Sequence, residues 1–404
     1  MAIATGPKKE VRAKKESSFN VAAGATGAQQ YRRVTSDLTL VKDTYRSAEI
    51  VTHNQTLDMR HGARRSEGTL RGELSPSSYS AFMQSALRRD FTTGATTGAI
   101  TTVTAAAGPP GTFTRSAGSF LTDGFKVGDV VRWTGWTTTG VNNNARNYRI
   151  TVLTATVMTV TGTGNEVVAA KAAGDSVTCT VVGKKTFIPA TGHTNDSYSI
   201  EHWHSDILQS ELFTGCRVGS LAIQLPATGL ATIDISFLGA GFTPGTSAYF
   251  TSPTAAATTG IAAAVNGALR VGGSDLAIVT GLSLSLTNQL STEPVVGSNT
   301  VPEIFSGTVQ VTGQLTAFFE NATLRDYFVN ETEFDIACRL DLSSAINSDF
   351  LNIYLGRVKA TSAGGDDGQT GLKKTIAFEG LYKSTGGSGT DSEQTTLSIQ
   401  DSTL

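Results

Sequence analysis

The sequence predicts a mainly β, antiparallel chain with one flanking α-helix and a small inserted β domain. Three observations carry this. Apolar residues recur at every second position in many short runs broken by Gly, Pro, Asn and Asp. Thr and Ser dominate the polar positions, and Gly is abundant at 43 of 404 residues. The composition also switches at Thr92 and switches back near Lys184. Only 16% of residues are charged, low for a free soluble monomer and suited to a surface covered by other subunits.

The clearest element runs from Val218 to Gly239. Leu221, Ile223 and Leu225 alternate with Ala222 and Gln224, and Pro226-Ala-Thr-Gly229 breaks the run. Ile233, Ile235 and Phe237 then alternate with Thr232, Asp234 and Ser236. This is a hairpin with one apolar and one polar face, and the pattern recurs downstream.

From the N-terminus, residues 1–30 carry Lys8, Lys9, Lys14 and Lys15 and then a Gly/Ala run. Without visible periodicity they read as an extended arm, disordered when alone. Residues 31–91 hold short strands (Leu38 and Leu40; Leu70, Gly72 and Leu74) and the best helix. Ser75 is placed to cap it, Pro76 lies in its first turn, and Tyr79, Phe82, Met83, Ala86 and Leu87 form its stripe. Residues 92–184 read as a self-contained insertion with strands at Val152–Val160 and Val177–Val181. Trp133, Trp136 and Tyr148 read either as a carbohydrate platform or, preferably, as core and edge aromatics.

Residues 185–404 return to the body. A loose Gly/Ala/Thr segment spans Gly239 to about Gly273. Leu276, Ile278, Leu282, Leu284 and Leu286 share one strand face. Val309, Val311, Leu315 and Phe319 oppose Gln310, Thr312, Gln314 and Thr316. A short helix is expected from Asn321 to Phe328, with Leu324, Tyr327 and Phe328 inward. Phe334, Ile336, Cys338, Leu340 and Leu342 oppose Asp335, Ala337, Arg339 and Asp341. Strands at Ile353–Val358 and Lys374–Tyr382 precede a weakly patterned tail.

Catalytic signatures are missing. No nucleophile elbow, P-loop, dinucleotide fingerprint or EF-hand loop occurs, and no cofactor is expected. The three cysteines lack metal or disulfide spacing, which suits synthesis in a reducing cytoplasm. No run approaches about 18 apolar residues. His202 and His204 share a strand face with Asp206 in phase, so they read either as a metal site or as a polar strand face backed by Trp203.

Four motifs carry a resemblance. They are Lys14-Lys-Glu-Ser-Ser-Phe19; Gly62-Ala-Arg-Arg-Ser-Glu-Gly68 leading to Gly72-Glu-Leu-Ser-Pro76; Phe213-Thr-Gly-Cys-Arg-Val-Gly-Ser-Leu221; and Gly307-Thr-Val-Gln-Val-Thr-Gly313 with Leu315-Thr-Ala-Phe-Phe-Glu320. In this order the chain resembles the tail tube proteins (major tail proteins) of long-tailed bacteriophages. The middle segment is the departure.

The resemblance implies an antiparallel β-sandwich or half-barrel tube body that assembles into hexameric, stacked rings. DNA would pass down the lumen without specific binding. The implied partners are further copies of the chain and the tail terminator, tape measure and distal tail proteins. The chain would reside in the virion tail. A carbohydrate-binding tail or adhesin protein is the alternative, favoured by the Thr-rich insertion and its tryptophans.

Charge adds two expectations. With residues 1–15 and 92–184 set aside, 20 basic and 29 acidic residues remain, so the body is acidic. The lumen should therefore be neutral to negative, since cationic walls would hold phosphates. Candidate lumen residues are Asp335 and Asp341, Asp234, and Gln310 and Thr312. Lys8, Lys9, Lys14 and Lys15 are expected to meet an adjacent ring, the arm and the 239–273 segment ordering only on assembly. The insertion is expected to point outward.

Overall fold

The computed structural model describes residues 3–161, 168–276, 278–367 and 371–404. It is mainly β and antiparallel, with one large half-barrel sheet system. The first strand, β1 (Lys9–Lys15), corrects the arm reading. It pairs antiparallel along its whole length with 198–204, Val11 opposite His202. Val11 and Ala13 are buried, and Arg12 is held by Glu10 and Glu201. The alternation was there, masked by flanking lysines whose long stems lie over the surface.

β2 (Thr39–Arg46) and β3 (Met59–Glu73) form a hairpin far longer than the short strands expected. Only the end of β3 enters the core, through Leu70, with Leu74 buried just after the strand. The outer part projects from the body with Tyr45, Ile50, Leu57 and Met59 exposed.

Helix α1 (Ser80–Leu87) follows a turn, so it starts later than a Ser75 cap would place it; Ser75 Oγ instead bonds Ser78 Oγ. Its stripe of Phe82, Met83, Ala86 and Leu87, continued by Tyr79, is buried to 1% or less. Phe82 stacks on Tyr31 and meets Tyr198 and Phe237 edge-on. Gly72 lets the Tyr79 hydroxyl lie against β3, since a Cβ there would sit 1.8 Å from that oxygen.

The insertion forms its own six-stranded sheet from β4 (Val103–Ala106), β5 (Gly111–Arg115), β6 (Val130–Thr134), β7 (Tyr148–Leu153), β8 (Val157–Thr161) and β9 (Thr178–Val181). Their order is β9-β6-β7-β8-β5-β4. Trp133, Trp136 and Tyr148 are at most 2% exposed and pack on Phe113. They are core, and the sugar-platform reading of these rings is withdrawn.

The chain returns through β10 (Lys184–Phe187), which pairs with Thr92–Thr93, so entry and exit lie side by side. β11 (Tyr198–His204) pairs with β1. β12 (Gln209–Pro226) then runs through two sheets, bending at Gly215, whose φ of +67° favours glycine. Its first half pairs with β11 and its second with β13 (Thr232–Gly239). The segment expected to be loose carries β14 (Gly241–Gly245), paired with β12, and β15 (Gly267–Val271). Between them Phe250 is fully buried, and the Phe250 N–H donates to Glu201.

The large sheet continues through β16 (Val279–Thr287) and β17 (Gln310–Phe318). Helix α2 (Thr323–Val329) starts after Asn321, whose side chain accepts the Thr323 N–H. Leu324 is buried, but Phe328 is 41% exposed, against expectation. β18 (Phe334–Asp341), β19 (Phe350–Gly365), β20 (Lys373–Gly380) and β21 (Ser398–Asp401) complete the body, the last within the tail.

Neighbour pairing gives the order β2-β3-β13-β12-β16-β17-β20-β19, after which β19 turns the layer back through β18 and β15. Ile223, Leu225, Leu282 and Leu284 of one layer meet Ile336, Cys338, Ile353 and Leu355 of the other. The insertion lies behind β18, on the side away from that core. Arg149 reaches the Ala337 carbonyl, Asn352 donates to Gly128 O, and Gln400 bonds both the N–H and the carbonyl of Val130.

Candidate functional site: the wet face of the large sheet

Period two places the residues between the core positions on one outward face. The register lines them up across seven strands. One row runs Arg71, Asp234, Ala222, Ser285, Thr312, Glu379, Lys359. The next runs Glu73, Thr232, Gln224, Ser283, Gln314, Ala377, Ser362. A third runs Thr69, Ser236, Ser220, Thr287, Gln310.

The middle of this face is polar and uncharged, and charge is confined to its flanks. There three carboxylates (Glu73, Asp234, Glu379) stand against three bases (Arg71, Lys359 and, at the start of β20, Lys373). The hydroxyls and amides bond sideways: Ser220 to Ser236 at 2.7 Å, Thr316 to Thr375 at 3.2 Å, and Gln310 to Glu379 at 3.3 Å. Arg71 and Asp234 are 3.8 Å apart. Arg71, Gln224, Gln310, Thr312, Gln314 and Ser362 are exposed and the rest half-buried.

Both ends of the sheet are open among the described residues. Residues 359–365 of β19 have β20 on one side and no strand on the other. β2 pairs with β3 alone. Such edges invite pairing with another chain.

The sequence model for phage tail tube proteins matches residues 6–380. The chain belongs to the phage tail tube protein family. A search of curated proteins finds no match. As a tail tube protein it is a structural component of the virion tail.

Within this tail tube protein, Asp234, Gln310 and Thr312 come together on the wet face. Asp341 does not, and that candidate is withdrawn. It is 1% exposed, 3.1 Å from Arg339 Nε, and covered from outside by the insertion. Burial raises its carboxyl pKa, against the pull of Arg339. Asp335 is half-buried on the same strand, accepting the Gly273 N–H. It lines a cleft of about 850 Å³ between insertion and body, with Glu333 paired to Arg357 nearby. It too is absent from the wet face.

The wet-face residues missed from sequence are the charged Arg71, Glu73, Lys359 and Glu379 and the neutral Ser220, Gln224, Ser283, Ser285 and Thr287. For Glu379 the signal was present, since Thr375, Ala377 and Glu379 alternate with Ile376 and Phe378.

The lysines of the expected arm serve their own chain. Lys9 donates to Ser36 O, Lys14 to Gly24 O and Thr26 O, and Lys15 pairs with Asp196 at 2.7 Å. Lys8 is exposed, and residues 1–2 lie outside the described residues.

The histidines form no metal centre. His202 Nε2 bonds Ser36 Oγ, and Asp206 accepts the Thr5 N–H and O–H. Among the described residues no group of three His, Cys, Asp or Glu is placed to hold a metal. Burial pushes the His202 pKa down and the Cys216 and Cys338 thiols up, the latter to about 12.

Proposed function

We propose that this tail tube protein forms stacked, hexameric rings whose lumen is walled by the wet face and conducts the genome at ejection. One observation carries the reading: a continuous polar face, uncharged along its middle strands, on a sheet that is open at both edges. Joining residues 359–365 of one copy to β2 of the next would extend the sheet around a ring and leave no edge exposed. The middle of the wall, made of Ser, Thr and Gln, offers DNA no fixed cation, and carboxylates accompany the bases at its flanks, so phosphates keep their counterions and slide. The insertion, behind the opposite layer, then stands on the outside of the tube.

Ring stacking falls to the projecting β2–β3 hairpin, whose exposed Tyr45, Ile50, Leu57 and Met59 need a partner surface. Residues 3–8, with Lys8, adjoin the body as a smaller stacking element. In the tail the tube meets terminator and distal tail proteins at its ends and a tape measure protein inside, after synthesis in the host cytoplasm. No observation favours the adhesin reading.

Lysines placed at Ser285 and Thr312 test the conduit. Tubes should still assemble, and ejection should slow, more at low salt where screening is weak. Unchanged ejection at low salt, from tails shown to contain the variant, would remove this face from the lumen.

A further inference from the structure

Where the insertion rejoins the body, three ionisable side chains meet away from solvent. Lys185 on β10 holds Nζ 2.7 Å from Asp129 Oδ1 and 2.9 Å from Glu393 Oε1. Their side-chain exposures are 9%, 5% and 17%. Asp129 sits in the turn feeding β6, and its Oδ2 accepts the Lys126 N–H at 3.0 Å, which fixes the carboxyl group. The Lys126 ammonium is engaged by the carbonyls of Gly387 and Thr390 rather than by Asp129. Val130, Val182 and Phe350 form an apolar cluster beside the trio.

We propose that Lys185 and Asp129 condense to an intramolecular isopeptide bond, with Glu393 carrying the protons. An amine held 2.7 Å from a carboxyl oxygen has most of the entropy of the encounter already removed. Two charges kept out of water also carry a desolvation penalty that amide formation abolishes. Burial pushes Asp129 toward its protonated form; burial also opposes the charge on Lys185, but the carboxylates of Asp129 and Glu393 outweigh it and hold the proton there. The free amine therefore arises by transfer within the trio rather than by loss to solvent.

The step balances. Glu393 takes one proton from Nζ and delivers it to a carboxyl oxygen of Asp129, leaving a neutral amine beside a neutral acid. The Nζ lone pair forms a bond to Cγ. Glu393 then moves a second proton from nitrogen to the hydroxyl, the C–O bond breaks, and water leaves. An ammonium and a carboxylate become one amide and one water, with no oxidant, and Glu393 is regenerated. The bond ties the return strand β10 to the turn before β6, so the insertion is fastened covalently to the strand that carries the chain back into the body.

Intact-mass spectrometry of the full-length protein tests this, with allowance for the initiator methionine. The expected mass is one water below that of the sequence, and a digest should yield a branched peptide joining Asp129 to Lys185. Lys185→Arg should restore the full mass. Glu393→Gln, which keeps the Lys185–Asp129 pair and so the fold, should also show the full mass. A wild-type protein at full mass, or a water lost at another site, overturns the proposal. A deficit that persists in Glu393→Gln overturns the role given to Glu393.

Discussion

Two polar strand faces in this molecule are written in the same alternating pattern and meet opposite fates. On β13, β12, β16, β17 and β20 the residues between core positions face solvent in register. On β18 the same alternation puts Ala337, Arg339 and Asp341 at 2% exposure or less beneath the insertion. Period two states which side chains share a face, and nothing about what covers that face. The composition of the faces does differ. The wet strands carry neutral hydroxyls and amides in the middle, while β18 carries an Arg–Asp pair that neutralises itself and can be buried.

The largest break in this comparison is removal of the cover. Replacing residues 92–184 by a short Gly/Ser linker should leave Phe350, Gln400 and the Arg339–Asp341 pair without their covering partners, and the body should lose its protease-resistant core. A linker variant that stays protease-resistant and assembles would show that the covered face tolerates water.

A single side chain sharpens it next. Asp341→Ala leaves the Arg339 guanidinium buried without its counter-charge and should cost about 3–5 kcal/mol in chemical denaturation. Thr312→Lys on the wet face should change stability by no more than about 0.5 kcal/mol. Equal effects at the two positions would erase the distinction drawn here.

The smallest expected effect concerns His202 on β11, whose ring lies against Ser36 and the edge of Phe213. His202 is buried and its pKa is lowered below 6.5, so the unfolded chain binds the proton more readily. Its contribution to stability should be complete above pH 6.5 and decline as pH falls toward the lowered folded value. His202→Asn should flatten the stability–pH slope in that window; an unchanged slope would place the titration elsewhere.

The hairpin from Val218 to Gly239, the stripe of α1 and the wet strand at Gln310–Phe318 were legible because their patterns are local. β1 was not. Its alternation is only Val11 and Ala13, and its partner strand lies almost two hundred residues downstream. The β2–β3 hairpin carries charged and polar residues on both faces, so no period marked its length. The two strands between Gly239 and Gly273 are five residues each and Gly-rich, ordered by pairing with strands already in place. Of the candidate lumen residues, Asp234, Gln310 and Thr312 lie on the wet face because each alternates with core positions of its own strand, a local pattern. Asp341 failed because its cover comes from a separate domain, which no window around β18 contains.

A cryo-EM reconstruction of the assembled tail tests the central claim most directly. The account predicts Gln224, Ser283, Ser285, Thr312 and Gln314 on the wall nearest the tube axis, with the insertion on the outer surface. A map that places these side chains against a neighbouring subunit or on the outside, with another face toward the axis, would contradict it.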